Sequence, residues 1–352
     1  MNKKLHRLFS KGLSVVALWK RGGWRQTWSV LLDFCGEPVR VHGTPAFLQI
    51  EPTILCNLEC KFCINPFLDR AREALTLEKF RRILDQVPTV VKISLVGIGE
   101  STLNKSLFEL VREAKRRGIE IGTTSNGTIL NDKILDGFVN SGLDWLNFSL
   151  DGATKETYER MRPGATFEKT LENIRTVVKA VGDRPKPKLD IWFLSTSYNI
   201  HELPMMIPLV KSLGIRKLCT QGVHYWGHED WKDGASKANA VPDLVRRLRE
   251  ARDLARAEGL EFVAQNFPDP TQPRACKWPW KGSYITADGF VTPCCENGSD
   301  PKKINFGNLF ESPYEKIWNG EQYREFRRGL KSPSSRPKIC EACPSYYQSL
   351  KI

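Results

Sequence analysis

A chain of 352 residues that is 41% hydrophobic and 26% charged can bury a sizeable core, which excludes a disordered tail or a small stapled scaffold. Its net charge of +13 suits an anionic partner (nucleic acid, a phosphorylated or nucleotide-linked molecule, an acidic membrane surface), with a solvated basic surface as the bland competitor. Ten cysteines are too sparse for a disulfide scaffold, and the early apolar run LSVVALW is too short to span a bilayer.

Residues 1–45 stand apart, with eight Lys or Arg against Asp33 and Glu37. Leu5, Leu8, Phe9, Val16 and Trp19 fall at helical spacing with basic residues mostly between them. Such a basic amphipathic extension either lies on a membrane surface or packs on the next domain. No small-residue cleavage site follows the apolar run, so no signal peptide is expected. The expected location is cytoplasmic, with peripheral contact at the inner membrane surface through residues 1–45 as the variant.

From 46 to 235 the chain alternates. The β-rich runs FLQIEP, VKISLVGIG, EIGTTSN, WLNFSLD, KLDIWFLS and KLCTQGVHY are separated by helical patterns such as LTLEKFRRILDQV, SLFELVREAKRRG and TFEKTLENIRTVVKAVG. Six β/α units in series predict an α/β fold, a parallel sheet wrapped by helices, doubly wound or part of a barrel. The active site of such a sheet lies at the C-terminal strand ends. The pattern VPDLVRRLREARDLARAEG predicts a linker helix within 236–265. Residues 266–352, rich in Pro, Gly, Trp and Cys, read as a small second domain held partly by metal, with Asp288-Gly289 turning a hairpin between SYIT and FVTP.

Cys56, Cys60 and Cys63 follow the first predicted strand with the spacing Cys-x3-Cys-x2-Cys. A closed zinc site needs a fourth Cys or His nearby, and the local loop has none. Three thiolates on a [4Fe–4S] cluster leave one iron open. The motif resembles that of the radical S-adenosylmethionine enzymes, and Phe62 fills the aromatic position favoured before the last cysteine. GIGE at 97–100 resembles the family's glycine-rich motif, so Gly99 and Glu100 are expected at the methionine ammonium. Asn126 in SNG follows the third strand. Ser149 and Asp151 in SLDG resemble the segment that contacts ribose and carboxylate, and Asn199 follows the fifth strand. Each alone is an ordinary βα turn; five in order on consecutive strands carry the resemblance, over about residues 46 to 230. It implies a partial (β/α)6 TIM-type barrel and S-adenosylmethionine chelated to the open iron. One electron then gives a 5′-deoxyadenosyl radical that abstracts hydrogen from a substrate C–H. An electron donor such as flavodoxin or ferredoxin is implied.

In the second domain, Cys276 is followed after twelve residues by Gly289 and after four more by Cys294, then by Cys340 and Cys343. This resembles the SPASM or twitch domain of a radical S-adenosylmethionine subgroup and implies one auxiliary [4Fe–4S] cluster. Zinc on four thiolates is the competitor. Gly-x4-Cys favours Cys294 over Cys295 as the ligand. Cys35 reads as a small core hydrophobe. Cys219, on the sixth predicted strand, shares a face with Gln221; it is either core packing or the hydrogen-atom donor that a radical epimerase needs. The segment HYWGHEDWKDG at 224–234 is expected to overhang the pocket and bind substrate, or to be an ordinary loop.

The leading expectation is radical oxidation or epimerisation of a small polar, sugar-like molecule, with a lipid-linked substrate as a variant. Peptide side-chain maturation is the alternative within the family; 45 N-terminal residues are few for a peptide-binding module. A metal protein that binds nucleic acid is the non-enzymatic reading. It leaves Glu100 and the ordered strand-end motifs unexplained, so no nucleic acid is expected.

Overall fold

Each of the six β-rich runs forms a strand in the computed structural model, which describes residues 15–223, 243–273, 276–341, 343, 345 and 347–349. The chain falls into two compact units: residues 1–55, 70–122 and 275–341 form the first, and 56–69, 123–274 and 342–352 the second. Strand β3 (Glu120–Ser125) contributes residues to both.

The first unit opens with helix α1 (Val15–Gly36), which buries Leu18, Val30 and Phe34 against Ala46 and Val91. Strands β1 (Phe47–Ile50) and β2 (Lys92–Leu95) pair in parallel, Leu48 beside Ile93. The start of β3 joins them through the bond from Glu120 N–H to Val91 O. Helices α2 (Leu77–Gln86) and α3 (Leu107–Arg116) cover this sheet. Thr76 caps α2 by accepting from Lys79 N–H, and the helix buries Phe80, Ile83 and Leu84.

The expected C-terminal hairpin is present in the same unit. Its Gly289 has φ +96°, a conformation that favours glycine, and a Cβ there would meet the Phe310 ring at 2.4 Å. The first hairpin strand, Gly282–Ile285, also pairs in parallel with β1, Leu48 beside Ser283. Gln86 at the end of α2 secures the following segment, accepting from Tyr314 N–H at 2.7 Å and donating to Leu309 O at 3.1 Å. Arg327, fully buried, lies over the Trp318 and Tyr323 rings at 4.3 and 4.4 Å and donates to the carbonyls of Pro279 and Trp318.

In the second unit β4 (Trp145–Ser149), β5 (Lys188–Ser195), β6 (Lys217–Gly222) and a further strand, β7 (Glu261–Gln265), pair in parallel in that order. Strand β7 ends the stretch read as a linker; its helical part forms α8 (Leu244–Ala257). Helices α4 (Asp132–Asn140), α5 (Lys155–Met161), α6 (Phe167–Val181) and α7 (Met206–Ser212) fill the connections. Phe148 of β4 meets Phe138 of α4 edge-on at 6.3 Å, so that strand face packs on helices. The alternate positions, Asn147, Trp192, Cys219 and Val263 among them, project from the other face. A short antiparallel pair joins Pro268–Pro273 to Tyr347–Ser349. No described helix is long and apolar enough to cross a membrane.

Candidate active site

The three thiols of the second unit's first loop are held by backbone. Cys63 N–H donates to Cys60 O at 3.0 Å, and the Glu59 and Lys61 N–H groups donate to Pro163 O and Met161 O, both at 3.2 Å. The loop is therefore fastened to the end of α5. Burial pushes the Cys60 thiol up to about 12, opposed chiefly by the Arg162 guanidinium, and the Cys63 thiol up to about 11. Each thiol is close enough to feel the charge of its neighbours. Buried thiols of this kind become thiolates only when a cation compensates them, and the soft sulfur set suits iron. Among the described residues no three His, Cys, Asp or Glu side chains close on one metal point. Each thiolate of an iron–sulfur cluster meets its own iron, so the donor set fits the cluster.

Arg162, which the sequence did not single out, organises this loop. Its Nη1 lies 3.8 Å from Cys60 Sγ, its guanidinium 5.4 Å from the centre of the Phe62 ring, and its Nε and Nη2 lie 2.7 and 2.5 Å from Asp151 Oδ2. Burial pushes the Asp151 carboxyl above its ordinary range against the opposing Arg162 charge, whereas for Arg162 the charge of Asp151, with Cys60, outweighs burial and holds the guanidinium protonated. Asp151 is fully buried, and its Oδ1 accepts from Leu194 N–H at 2.7 Å. In this structure both oxygens of Asp151 position Arg162 and the end of β5.

The neighbouring strand ends are braced in the same manner. Asn199, fully buried, donates to the carbonyls of Asp151 and Leu194, and its oxygen accepts from Thr196 N–H at 2.7 Å. Asn126 donates to Asn57 Oδ1 and accepts from Thr128 N–H and Oγ1. Ser149 closes β4 opposite Trp192. Glu202, also missed in sequence, accepts from Ala153 N–H, Thr154 N–H and the Thr154 and Thr157 hydroxyls, which caps α5, the helix leading into Arg162. Burial raises this carboxyl, but the combined hydrogen bonds hold it below the usual carboxylate range. A depressed carboxyl stabilises fully above its unfolded pKa of about 4.3 and loses that contribution as pH falls through the folded value. Glu202→Gln is expected to destabilise the protein by roughly 2 kcal/mol at pH 7. In urea melts the difference should shrink steadily below about pH 4.3.

In the first unit the GIGE segment lies directly on the chain leaving β1. Glu100 N–H donates to Leu55 O at 2.8 Å, and its carboxylate accepts from Thr102 N–H and Oγ1, capping the turn at Ser101–Leu103. Gly99 is required by space: a Cβ would sit 2.4 Å from Thr53 O and 2.5 Å from Leu55 O. Both are backbone atoms that cannot swing aside. Gly99→Ala should therefore break the Glu100–Leu55 bond and cost about 1–3 kcal/mol by overpacking. A lowered Tm, with weakened S-adenosylmethionine binding in equilibrium dialysis, would check it. Glu51, also unread in sequence, accepts from Arg70 Nη2 at 2.7 Å, Tyr284 OH at 2.8 Å and Ala287 N–H at 3.2 Å, all inside the unit. Arg70 also reaches Asp288 at 3.0 Å.

Of the C-terminal thiols, Cys276, Cys294 and Cys340 belong to the first unit and Cys343 to the second; Cys294, Cys340 and Cys343 are buried. Cys276 and Cys294 both lie within electrostatic reach of the buried Tyr323, whose hydroxyl burial pushes far up. Cys295 instead neighbours Tyr284. Residues 224–234 lie outside the described residues.

Parallel β/α units carrying a three-thiol loop after the first strand, together with a cysteine-bearing C-terminal hairpin, define an iron–sulfur α/β protein. Residues 50–206 match the Radical SAM superfamily, and residues 276–344 match the SPASM iron–sulfur cluster-binding domain. The chain is a radical S-adenosylmethionine enzyme with a C-terminal SPASM domain. It is 28% identical to the tungsten-containing aldehyde ferredoxin oxidoreductase cofactor-modifying protein of Pyrococcus furiosus, over 80% of this chain and 83% of that one. It is 27% identical to a PqqA peptide cyclase of Xanthomonas oryzae, over 85% and 80%. Among solved structures, Streptococcus suis SuiB superposes with a TM-score of 0.68 at 16% identity, over 87% of this chain and 77% of SuiB. SuiB has been solved bound to S-adenosylmethionine and to its precursor peptide SuiA.

Proposed function

We propose that this enzyme abstracts a hydrogen atom from a C–H bond of a small polar molecule, sugar-like or lipid-linked, leading to oxidation or epimerisation. Cys56, Cys60 and Cys63 hold the [4Fe–4S] cluster, and Cys276, Cys294, Cys340 and Cys343 hold the auxiliary one. The first cluster with S-adenosylmethionine supplies one-electron cleavage to a 5′-deoxyadenosyl radical. Gly99 and Glu100 receive the methionine ammonium, while Asp151 and Arg162 fix the thiol loop.

The observation that carries the polar-substrate reading is the strand face turned away from helices in the second unit. Asn147, Asp190, Lys217, Gln221 and Gln265 share it, with Lys217 Nζ 3.4 Å from Asp190 and Gln265 Nε2 3.5 Å from Gln221 Oε1. The buried Trp192 Nε1 on this face has no acceptor among the described residues. Fixed amides and a lone indole donor suit hydroxyl groups, as in polar ligand pockets generally. Cys219 lies beside Trp192, and burial pushes its thiol up to about 12, so at neutral pH it keeps its S–H. A protonated thiol is a hydrogen-atom donor, which favours epimerisation of the two outcomes.

The peptide reading is favoured by one finding, the similarity to the PqqA peptide cyclase. The test incubates reconstituted enzyme and reductant in D2O with panels of polyols and peptides, following 5′-deoxyadenosine and deuterium uptake. Polyol-dependent 5′-deoxyadenosine supports the proposal, and peptide-dependent formation overturns it. Deuterium uptake that disappears in Cys219→Ala while 5′-deoxyadenosine persists assigns epimerisation.

A further inference from the structure

The outer face of α1 carries large apolar side chains that the enzymatic reading leaves unused. Trp19, Trp24 and Trp28 are 58%, 63% and 58% exposed, and Val16 and Leu32 are exposed beside them. Five of the nine exposed large hydrophobics among the described residues therefore lie on one helix. They are separate from Leu18, Val30 and Phe34, with which the same helix packs on Ala46 and Val91. Gly23, at φ 69° and ψ −179°, divides α1 into two segments. Beyond it Trp24, Trp28 and Leu32 recur at four-residue steps, one stripe along the helix. Arg21 donates to the carbonyls of Arg117 and Pro88, which fastens the first segment, and the burial of Val30, Asp33 and Phe34 turns the stripe of the second segment outward. A contiguous exposed apolar patch marks an interaction site.

Charge selects the partner. Lys20 and Arg25 are exposed on the same helix, with the Arg25 guanidinium 5.5 Å from the centre of the Trp24 ring. The helix has one acidic residue, Asp33, and it is buried: its carboxylate accepts from His42 N–H and Gly43 N–H and pairs with His42 Nδ1 at 2.7 Å. The outer surface of α1 is thus apolar and cationic with no anion. An apolar protein groove would use the tryptophans and leave the cations without counter-charge. An anionic bilayer uses both, since indole rings settle at the headgroup level and basic side chains meet lipid phosphates.

We propose that α1 docks the enzyme on an anionic lipid surface. Trp19, Trp24 and Trp28 enter the headgroup–acyl boundary, and Lys20 and Arg25 contact phosphates. The helix lies on the membrane; no described helix can cross one. This inference is independent of the substrate and of the clusters.

The test is co-sedimentation of the full chain with vesicles of phosphatidylcholine and phosphatidylglycerol in equal parts, against phosphatidylcholine alone. The wild type is expected to pellet with the mixed vesicles and to be released by salt. Trp19→Ser/Trp24→Ser/Trp28→Ser should lower partitioning at least about tenfold, because binding scales with the apolar area inserted. Lys20→Gln/Arg25→Gln should lower it roughly fivefold per charge. All five side chains are exposed, so thermal melting at the wild-type temperature separates lost binding from misfolding. Wild type that stays in the supernatant, or a triple variant that pellets undiminished, overturns the proposal. So does a wild-type dimer in light scattering that the tryptophan substitutions dissociate without any vesicle binding, since the stripe then joins two copies.

Discussion

Replacing Cys56, Cys60 and Cys63 by alanine is expected to lower iron after anaerobic reconstitution from about eight to about four per chain and to abolish 5′-deoxyadenosine formation. The reason lies in the loop. With Cys60 buried and Cys63 half-buried, and their thiols pushed up to about 12 and about 11, a bound metal centre is what would hold them as thiolates there. Alanines remove the donors and leave the backbone anchors at Glu59 and Lys61 in place, so the fold should survive. The reciprocal set, Cys276, Cys294, Cys340 and Cys343 to alanine, should also retain about four irons. Wild type holding about four irons, falling to none in the first variant, would show that the C-terminal thiols bind zinc or nothing. An unchanged rate of cofactor cleavage in the first variant would refute the ligand assignment altogether. Iron and acid-labile sulfide assays with chromatography of 5′-deoxyadenosine read all three results.

Much of this arrangement was legible because local chemistry and fold agree. VKISL, KLDIWFLS and KLCTQG are short, apolar and β-rich, and the last two are each entered from a helix ending near glycine; nothing competes with a strand there. The hairpin at Asp288-Gly289 was equally explicit, since the turn demands a residue tolerant of positive φ. Its pairing with β1 was not, because a strand edge states no partner in its sequence. Strand β7 was hidden: Glu261–Gln265 follows a long amphipathic helix and is stabilised by β6 beside it rather than by alternation of its own. Pro268–Pro273 has no strand composition at all and pairs only by tertiary context. The site divides similarly. The thiols and glycines are visible because few side chains can replace them. The supports, Arg162, Glu202 and Arg70, are ordinary charges whose partners lie across turns and helices, and only three-dimensional proximity identifies them.

Arg162→Met is expected to be the most damaging single change outside the ligands, destabilising by about 3–5 kcal/mol, because it leaves the fully buried Asp151 without a cation. Asp151→Asn should cost a similar amount by stranding the guanidinium. The paired variant, Arg162→Met/Asp151→Asn, removes both charges and should recover part of that loss, since well-packed neutral groups replace a buried ion pair at little cost. Urea denaturation of the four proteins closes the cycle. A coupling energy near zero would mean the pair contributes nothing beyond packing. The functional consequence differs from the thermodynamic one. Arg162 touches Cys60 Sγ and the Phe62 ring, so the stable double variant should still load iron poorly and cleave S-adenosylmethionine slowly. Arg162→Lys keeps the charge but cannot hold Asp151 through two nitrogens while reaching the thiol, and it should behave between wild type and methionine. Stability recovered without activity would identify Arg162 as a positioning residue of the thiol loop; activity recovered together with stability would reduce it to a structural ion pair.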